Sequence, residues 1–246
     1  MGRCQGTTCA PSLGLALLWR FEESAGTTAL DSSGNGRHGV YRGDFGTPTP
    51  SGNVPPLMHP NSLSRAFNIN SRHVVVIDNM PPALRPSNDF TVLAWYRATD
   101  VDPGSGSSNV GSEIVSGGNG YLLRLRAVSS GDSVRQIEFA KRIGEAEYAT
   151  VFGNASNFLD GNWHHVAGVG SRTGGLRAYF DGVEIAAAPG ERDDIDYPPT
   201  GVGFFAGRHG DGQTQWDFGG NIDEVRMYTR ALSAAEIAIL AQGRNN

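Results

Sequence analysis

Apolar positions along this 246-residue chain recur every second residue in short runs, and clusters of Gly, Asn, Asp and Ser separate the runs. Alternation of that period marks strands with one face toward a core, and the clusters mark turns. The pattern predicts strands at Leu15–Phe21, His38–Tyr41, Arg65–Ile69, His73–Ile77, Phe90–Ala98, Ser112–Val115 and Tyr121–Ala127. It continues with Arg135–Ala140, Glu147–Phe152, Trp163–Gly170, Leu176–Phe180, Val183–Ala187, Gly201–Gly207 and Phe218–Tyr228. Val74–Ile77 and Val92–Trp95 are apolar on both faces, which places them near a sheet centre. Asp181-Gly182 joins two of these runs and predicts a type I′ hairpin, whose two central residues need positive φ.

One helix is predicted, at the end of the chain. Ser233-Ala-Ala-Glu236 is a capping box, in which each side chain satisfies an orphan amide of the first turn. Ile237 and Leu240 form its apolar stripe, and Gly243 is placed to stop it. The segments Pro48–Pro60, Thr99–Gly111 and Pro189–Thr200 read as surface loops of one domain. The expected organisation is a flexible leader over 1–12, a single domain over 13–242 and a tail over 243–246.

Composition supports an all-β reading. Glycine supplies 34 residues and proline 13, and the glycine share is about twice the usual one. The 39% of hydrophobic residues is enough to fill a core at this length. A net charge of −5 argues against nucleic acid as a partner. Lys141 is the one lysine among 20 basic residues, a skew that, with abundant Gly and Ala, points to a GC-rich genome more than to any function. The apolar run Leu13–Trp19 is too short to enter a membrane and lacks the pattern of a signal peptide. Either the protein is not exported or it is a fragment of a longer exported chain. Leu15–Phe21 reads as the first strand of a fold and favours the fragment, so the expectation is a monomeric bacterial module, extracellular, periplasmic or at the cell surface. Cys4 and Cys9 precede the first strand, and either one small bridge or two free thiols would account for them. Their spacing suits neither a metal site nor a redox centre.

Several segments resemble laminin-G-like jelly-roll domains of the concanavalin A-like lectin/glucanase superfamily. Leu17-Leu-Trp-Arg-Phe through His38-Gly39 is similar to their opening, and Phe90-Thr-Val-Leu-Ala-Trp95 to their central strand. Gly161-Asn-Trp-His-His-Val-Ala167 and Leu176-Arg-Ala-Tyr-Phe-Asp-Gly-Val183 are similar to a strand pair. Asn221-Ile-Asp-Glu-Val-Arg-Met-Tyr with Ser233-Ala-Ala-Glu-Ile237 is similar to the closing strand and helix. The resemblance implies a sandwich of two antiparallel sheets, of about six or seven strands each, with first and last strands adjacent. That fold carries lectins, adhesion modules, enzymes and spacers alike.

Asp31-Ser-Ser-Gly-Asn35-Gly is a turn dense in oxygens, and calcium takes six to eight of them. An Asx-turn, in which Asp31 and Asn35 bond their own backbone, is the other reading of the same residues. The resemblance implies a structural calcium where the opening loop meets the last strand, with Asp31, Asn35 and Asp223 as ligands. Asp223 alternates with Val225 and Met227, so its carboxylate is expected on their side and in need of a partner.

His164 and His165 are neighbours on a strand and point to opposite faces, with His165 expected as a core or rim histidine holding a hydrogen bond. Glycoside hydrolysis needs two carboxylates flanking one bond, and the Glu-x-Asp-x-x-Glu strand of glucanases with this fold is absent. Gln136-Ile-Glu138 echoes the Gln-Ile-His of some polysaccharide lyases without its histidine, and reads as a solvated face. Arg42-Gly-Asp44 and the acidic run Glu191–Asp196 read as surface loops.

Sugar recognition combines an aromatic platform with amide or guanidinium donors. Tyr121, Arg208, Gln213, Gln215 and Trp216 have that chemistry, unless Tyr121 and Trp216 pack inward at strand starts. The expected function is a non-catalytic module that binds a glycan or an extracellular protein. A polysaccharide hydrolase or lyase, or a spacer, are the alternatives.

Overall fold

A computed structural model describes residues 11–101, 109–128, 135–145, 147–190, 193–198 and 203–244. Cys4, Cys9 and Glu191 lie outside the described residues. Sixteen strands occur among the described residues: β1 (Leu15–Trp19), β2 (Thr28–Ala29), β3 (Gly39–Arg42), β4 (Thr49–Ser51), β5 (Ser64–Phe67), β6 (Val74–Ile77), β7 (Phe90–Arg97) and β8 (Asn109–Gly117). They continue with β9 (Tyr121–Val128), β10 (Arg135–Gly144), β11 (Glu147–Asn154), β12 (Trp163–Ser171), β13 (Gly175–Phe180), β14 (Val183–Ala188), β15 (Phe204–Ala206) and β16 (Gly220–Tyr228), before the helix α1 (Ala234–Ala241).

The strands form two sheets of eight. The first runs β14-β13-β12-β7-β16-β5-β4, with β1 also paired to β16; the second runs β11-β10-β9-β8-β15-β6-β3-β2. All pairings are antiparallel. The architecture is a jelly-roll sandwich, and its first strand lies beside its last, with Trp19 opposite Val225. Each sheet exceeds six or seven strands because β2 and β4 add short edges that no alternation marks. β4 contains Pro50, and an edge strand tolerates the missing donor.

Inward faces of both sheets meet in one core. Phe90 of β7 lies 4.9 Å from the Tyr121 ring and 5.7 Å from that of Phe139, each on the facing sheet. Gly168 of β12 makes room there, since a Cβ at that position would lie 2.1 Å from the Phe139 ring. Burying side chains of this size contributes about 1.5–3 kcal/mol each.

Asp181 and Gly182 turn the β13–β14 hairpin with φ of 48° and 81°, as the type I′ turn requires. Ser233 and Glu236 form the capping box of α1. Ile237 and Leu240 then pack on the outer face of the first sheet against Leu93, Ala167, Val169 and Tyr179. No helix among the described residues is long and apolar enough to cross a membrane.

Candidate functional site

The outer face of the second sheet carries a row of charged and aromatic side chains. On β9 the core residues Leu123 and Leu125 alternate with Arg124 and Arg126; on β10 Ile137 and Phe139 flank Glu138. The register sets Glu113, Arg124, Glu138 and Phe152 side by side across β8, β9, β10 and β11. Directly opposed residues share a face, so four separated positions become one row. Arg124 donates from Nε and Nη2 to Glu138 Oε2 at 3.0 and 2.7 Å, and its Nη1 lies 3.7 Å from Glu113. Its guanidinium sits 4.1 Å over the Trp216 ring. Arg126 lies 4.8 Å over the ring of Phe152, which is 42% exposed. In the next row Gln136 donates to Asn154 at 3.2 Å.

The loop from Gly207 to Gly219 folds over β8. Ser116 Oγ donates to Arg208 O at 2.6 Å and Ser112 Oγ to Asp217 O at 3.1 Å. Arg208 grips Asp217 with two bonds of 2.8 Å and reaches Arg72 O. His209 bonds Glu113 through Nδ1 and lies 3.0 Å from Asn119 Oδ1 through Nε2. Tyr148 donates to that same Asn119 oxygen at 2.7 Å. Both ring nitrogens thus face acceptors, the arrangement of a doubly protonated imidazole. Burial opposes that charge, but the charge and hydrogen bond of Glu113 outweigh it and raise the His209 pKa.

Of the residues expected to bind a ligand, Trp216 is half-buried on this face while Gln213 and Gln215 are exposed on the same loop. Arg208 belongs to the loop's anchor. Tyr121 is corrected: it is buried, its hydroxyl donates to Leu84 O at 2.8 Å, and alternation with Leu123 and Leu125 turns it inward. Glu113, Arg124, Glu138, Tyr148, Phe152 and His209 were not singled out as ligand contacts. For Arg124 and Glu138 the signal is a charged residue between two core residues on consecutive strands; the others carry none.

The outer face of the first sheet holds a second polar cluster, sealed beneath α1 and the segment around His59. Glu224 accepts from Arg20 at 3.1 Å and Arg226 at 2.6 Å, and lies 3.2 Å from His59 Nε2. Burial would raise its pKa, but Arg226 and His59 pull it down to about 2. His165 is fully buried against Trp95, and neither ring nitrogen has a hydrogen-bond partner. That overturns the expected hydrogen bond, and burial pulls the ring's pKa down to about 3. His164 is held between Asp181 at 2.8 Å and Asp160 at 3.0 Å; burial opposes its charge, and the two carboxylates raise its pKa.

The residues expected to hold calcium do not fit an ion shared between the first loop and the last strand. Asp31 accepts four hydrogen bonds, from Leu18 N, Ser33 N, Ser33 Oγ and Arg37 N. Asn35 turns its amide donor toward Leu15 O and Ala16 O, and Arg37 donates to Ala16 O. This is the donor-filled geometry of an Asx-turn. Trp19 pairs with Val225 on one side and bridges to Asp31 on the other. Two strand spacings therefore separate the acidic segments, roughly 10 Å. The side assigned to Asp223 is corrected as well. A bulge between Asp223 and Arg226, with Glu224 at φ 50°, shifts the alternation. Asp223 thus faces outward opposite Trp95 and accepts from Asn61 at 2.8 Å. Burial and the Glu224 charge push its pKa well above the usual carboxylate range. Among the described residues no group of three or more His, Cys, Asp and Glu is arranged to hold a metal ion.

The profile of the concanavalin A-like lectin/glucanases superfamily, in its laminin-G-like branch, matches residues 70–238, more than half of the chain. Curated protein sequences yield no match. Among solved structures, the binding domain of Paraclostridial Mosquitocidal Protein 1 superposes with a TM-score of 0.68 at 14% identity, over 93% of this chain and 52% of that one. Domain 4 of the extracellular arabinanase AbnA from Geobacillus stearothermophilus, solved with arabinotriose, gives 0.62 at 19% identity, over 93% and 98%. The binding domain of Botulinum Neurotoxin DC, solved with SialylT, gives 0.60 at 14% identity, over 94% and 51%. The chain spans about half the length of the two toxin domains. At these identities the likenesses establish the fold.

Proposed function

Because this chain belongs to the concanavalin A-like lectin/glucanase superfamily, we propose that it is a non-catalytic module that binds a glycan on the outer face of its second sheet. The observation that carries the reading is the row of Glu113, Arg124, Glu138 and Phe152 with Trp216 stacked on Arg124. Aromatic rings present apolar faces to the CH surfaces of sugars, and a fixed polar network beside them orients hydroxyls. Exposed amides of Gln213 and Gln215 border that face. The structural neighbours include one domain solved with arabinotriose and one solved with SialylT, which supports a sugar as ligand. An extracytoplasmic setting is part of the same proposal, in keeping with the extracellular arabinanase among those neighbours.

Reach supports the non-catalytic reading. Hydrolysis needs two carboxylates that both touch the glycosidic bond. Glu113 is fully buried and Glu138 is 6% exposed, and both are turned to cations. The test is affinity electrophoresis against a polysaccharide panel, with wild type and Trp216→Ala. Retardation by at least one glycan, weakened about tenfold or more by the substitution, is expected, equivalent to about 1.4 kcal/mol. Binding indifferent to Trp216, or release of reducing ends, would sink the reading.

A further inference from the structure

We propose that Glu138 sets the ligand class: by engaging Arg124 it reserves the face for uncharged glycans and turns acidic ones away. This rests on the glycan reading above. A guanidinium stacked on a tryptophan is a ready receptor for a carboxylate, because its planar fork can donate two parallel bonds. In this protein the Nε and Nη2 of Arg124 already meet Glu138 Oε2 at 3.0 and 2.7 Å. Its Nη1 points toward Glu113 at 3.7 Å. His209 is engaged in the same way, bonded to Glu113 and 3.7 Å from Asp211, while Arg126 lies over the Phe152 ring.

A uronate or sialate carboxylate approaching Trp216 would therefore find the Arg124 guanidinium already bonded to Glu138 and facing Glu113. Glu138 is 6% exposed, so water screens its repulsion of that carboxylate little. A neutral sugar meets no such barrier. It can stack on Trp216 and Phe152 and exchange hydroxyl bonds with Gln136, Asn154, Gln213 and Gln215. Glu138 is thus a repulsive element built into a binding face, which is how specificity against a close analogue is commonly obtained.

The experiment measures binding of wild type, Glu138→Gln and Glu138→Asp to matched neutral and acidic polysaccharides, with arabinan and galactan set against polygalacturonate and alginate. Thermal melts confirm that each variant folds. Wild type is expected to prefer the neutral set by about tenfold or more. Glu138→Gln keeps the shape but removes the charge, and should gain about tenfold on the acidic set. Glu138→Asp restores the charge and should return the preference toward neutral. Acidic ligands binding wild type as well as neutral ones overturns the proposal while leaving the glycan reading intact, and needs no variant to fold. An unchanged preference in Glu138→Gln overturns it too. Failure of every glycan to bind removes the glycan reading itself, and this inference with it.

Discussion

Two faces of the sandwich carry nearly the same residue types and do opposite things. On the second sheet Glu138, Arg124 and His209 lie largely buried beside the half-buried Trp216, on a face that α1 does not cover; on the first, Glu224, Arg226, His59, His165 and Trp95 lie under α1 and the chain around His59. The open set is built on a row in register across strands, with a guanidinium stacked on each of the Trp216 and Phe152 rings. The sealed set gathers around a bulge at Glu224, and its carboxylate ties three basic side chains from different segments. Composition does not separate a binding face from a structural latch. Cover does, and the C-terminal helix decides which face is covered.

The sharpest way to break the comparison is to remove the central carboxylate of the sealed set. Glu224→Ala leaves Arg226, which is 2% exposed, without its buried counter-charge. Loss of one partner of a buried pair costs about 3–5 kcal/mol, a large part of a typical stability of about 5–15 kcal/mol. A markedly lower urea midpoint is expected, and a midpoint within error of wild type would show that the latch bears little of the fold. Trp216→Ala on the open face should do the reverse. Its stacking on the largely buried Arg124 is worth about 1–2 kcal/mol, so the midpoint should fall less than in Glu224→Ala while glycan binding falls. Equal losses of stability from the two substitutions would erase the distinction between the faces.

How far each face was legible in the sequence follows from this geometry. Local signals survived: Asp181-Gly182 turned its hairpin and Ser233 with Glu236 capped the helix, because each depends on neighbours in sequence. The pairing of the first strand with the last rested on family resemblance and held. The row of Glu113, Arg124 and Glu138 was not legible, since it exists only once the register of three strands is known, and a one-residue slip would send any member to the core. Asp223 was misplaced for a related reason. Alternation assigned it to the side of Val225, and a single left-handed residue at Glu224 reversed that assignment. Tyr121 was misread because an aromatic at a strand start fits a platform and a core equally well. Its burial and its bond to Leu84 O decide.

The histidines sharpen the contrast with smaller effects of opposite sign. His165 has a folded pKa lowered to about 3, so between about pH 6.5 and 3 the unfolded chain binds a proton that the folded chain refuses. Stability therefore falls with acid across that window. His209 and His164 have raised pKa values. Their contribution is full below about pH 6.5 and is lost as pH rises through the folded values. His165→Leu should remove part of the acid loss and add on the order of 1 kcal/mol at pH 7, because it deletes a buried polar ring without partners. His209→Gln should flatten the alkaline side instead. Melting curves from pH 4 to 9 check both, and a His165→Leu variant less stable than wild type at pH 7 would mean that the ring holds a bond the geometry does not show.

The smallest expected effect concerns the junction between the opening loop and the last strand. A cation bound only by the folded chain would stabilise it by mass action, so EDTA would lower the Tm and calcium would restore it. The geometry argues for no shift. Four donors fill the oxygens of Asp31, and Arg37 already supplies positive charge at Ala16 O. On the far side of β1, Asp223 and the unpartnered Oδ1 of Asn61 offer two side chains, well short of the six to eight oxygens calcium takes. EDTA should therefore leave the melting curve in place, and Asp31→Ala should lower it through lost turn hydrogen bonds, equally with and without calcium. A calcium-dependent Tm that survives Asp31→Ala but vanishes in Asp223→Asn would place an ion at Asp223 and Asn61. The buried carboxylate of Asp223 would then owe its place beside Glu224 to that ion rather than to a proton.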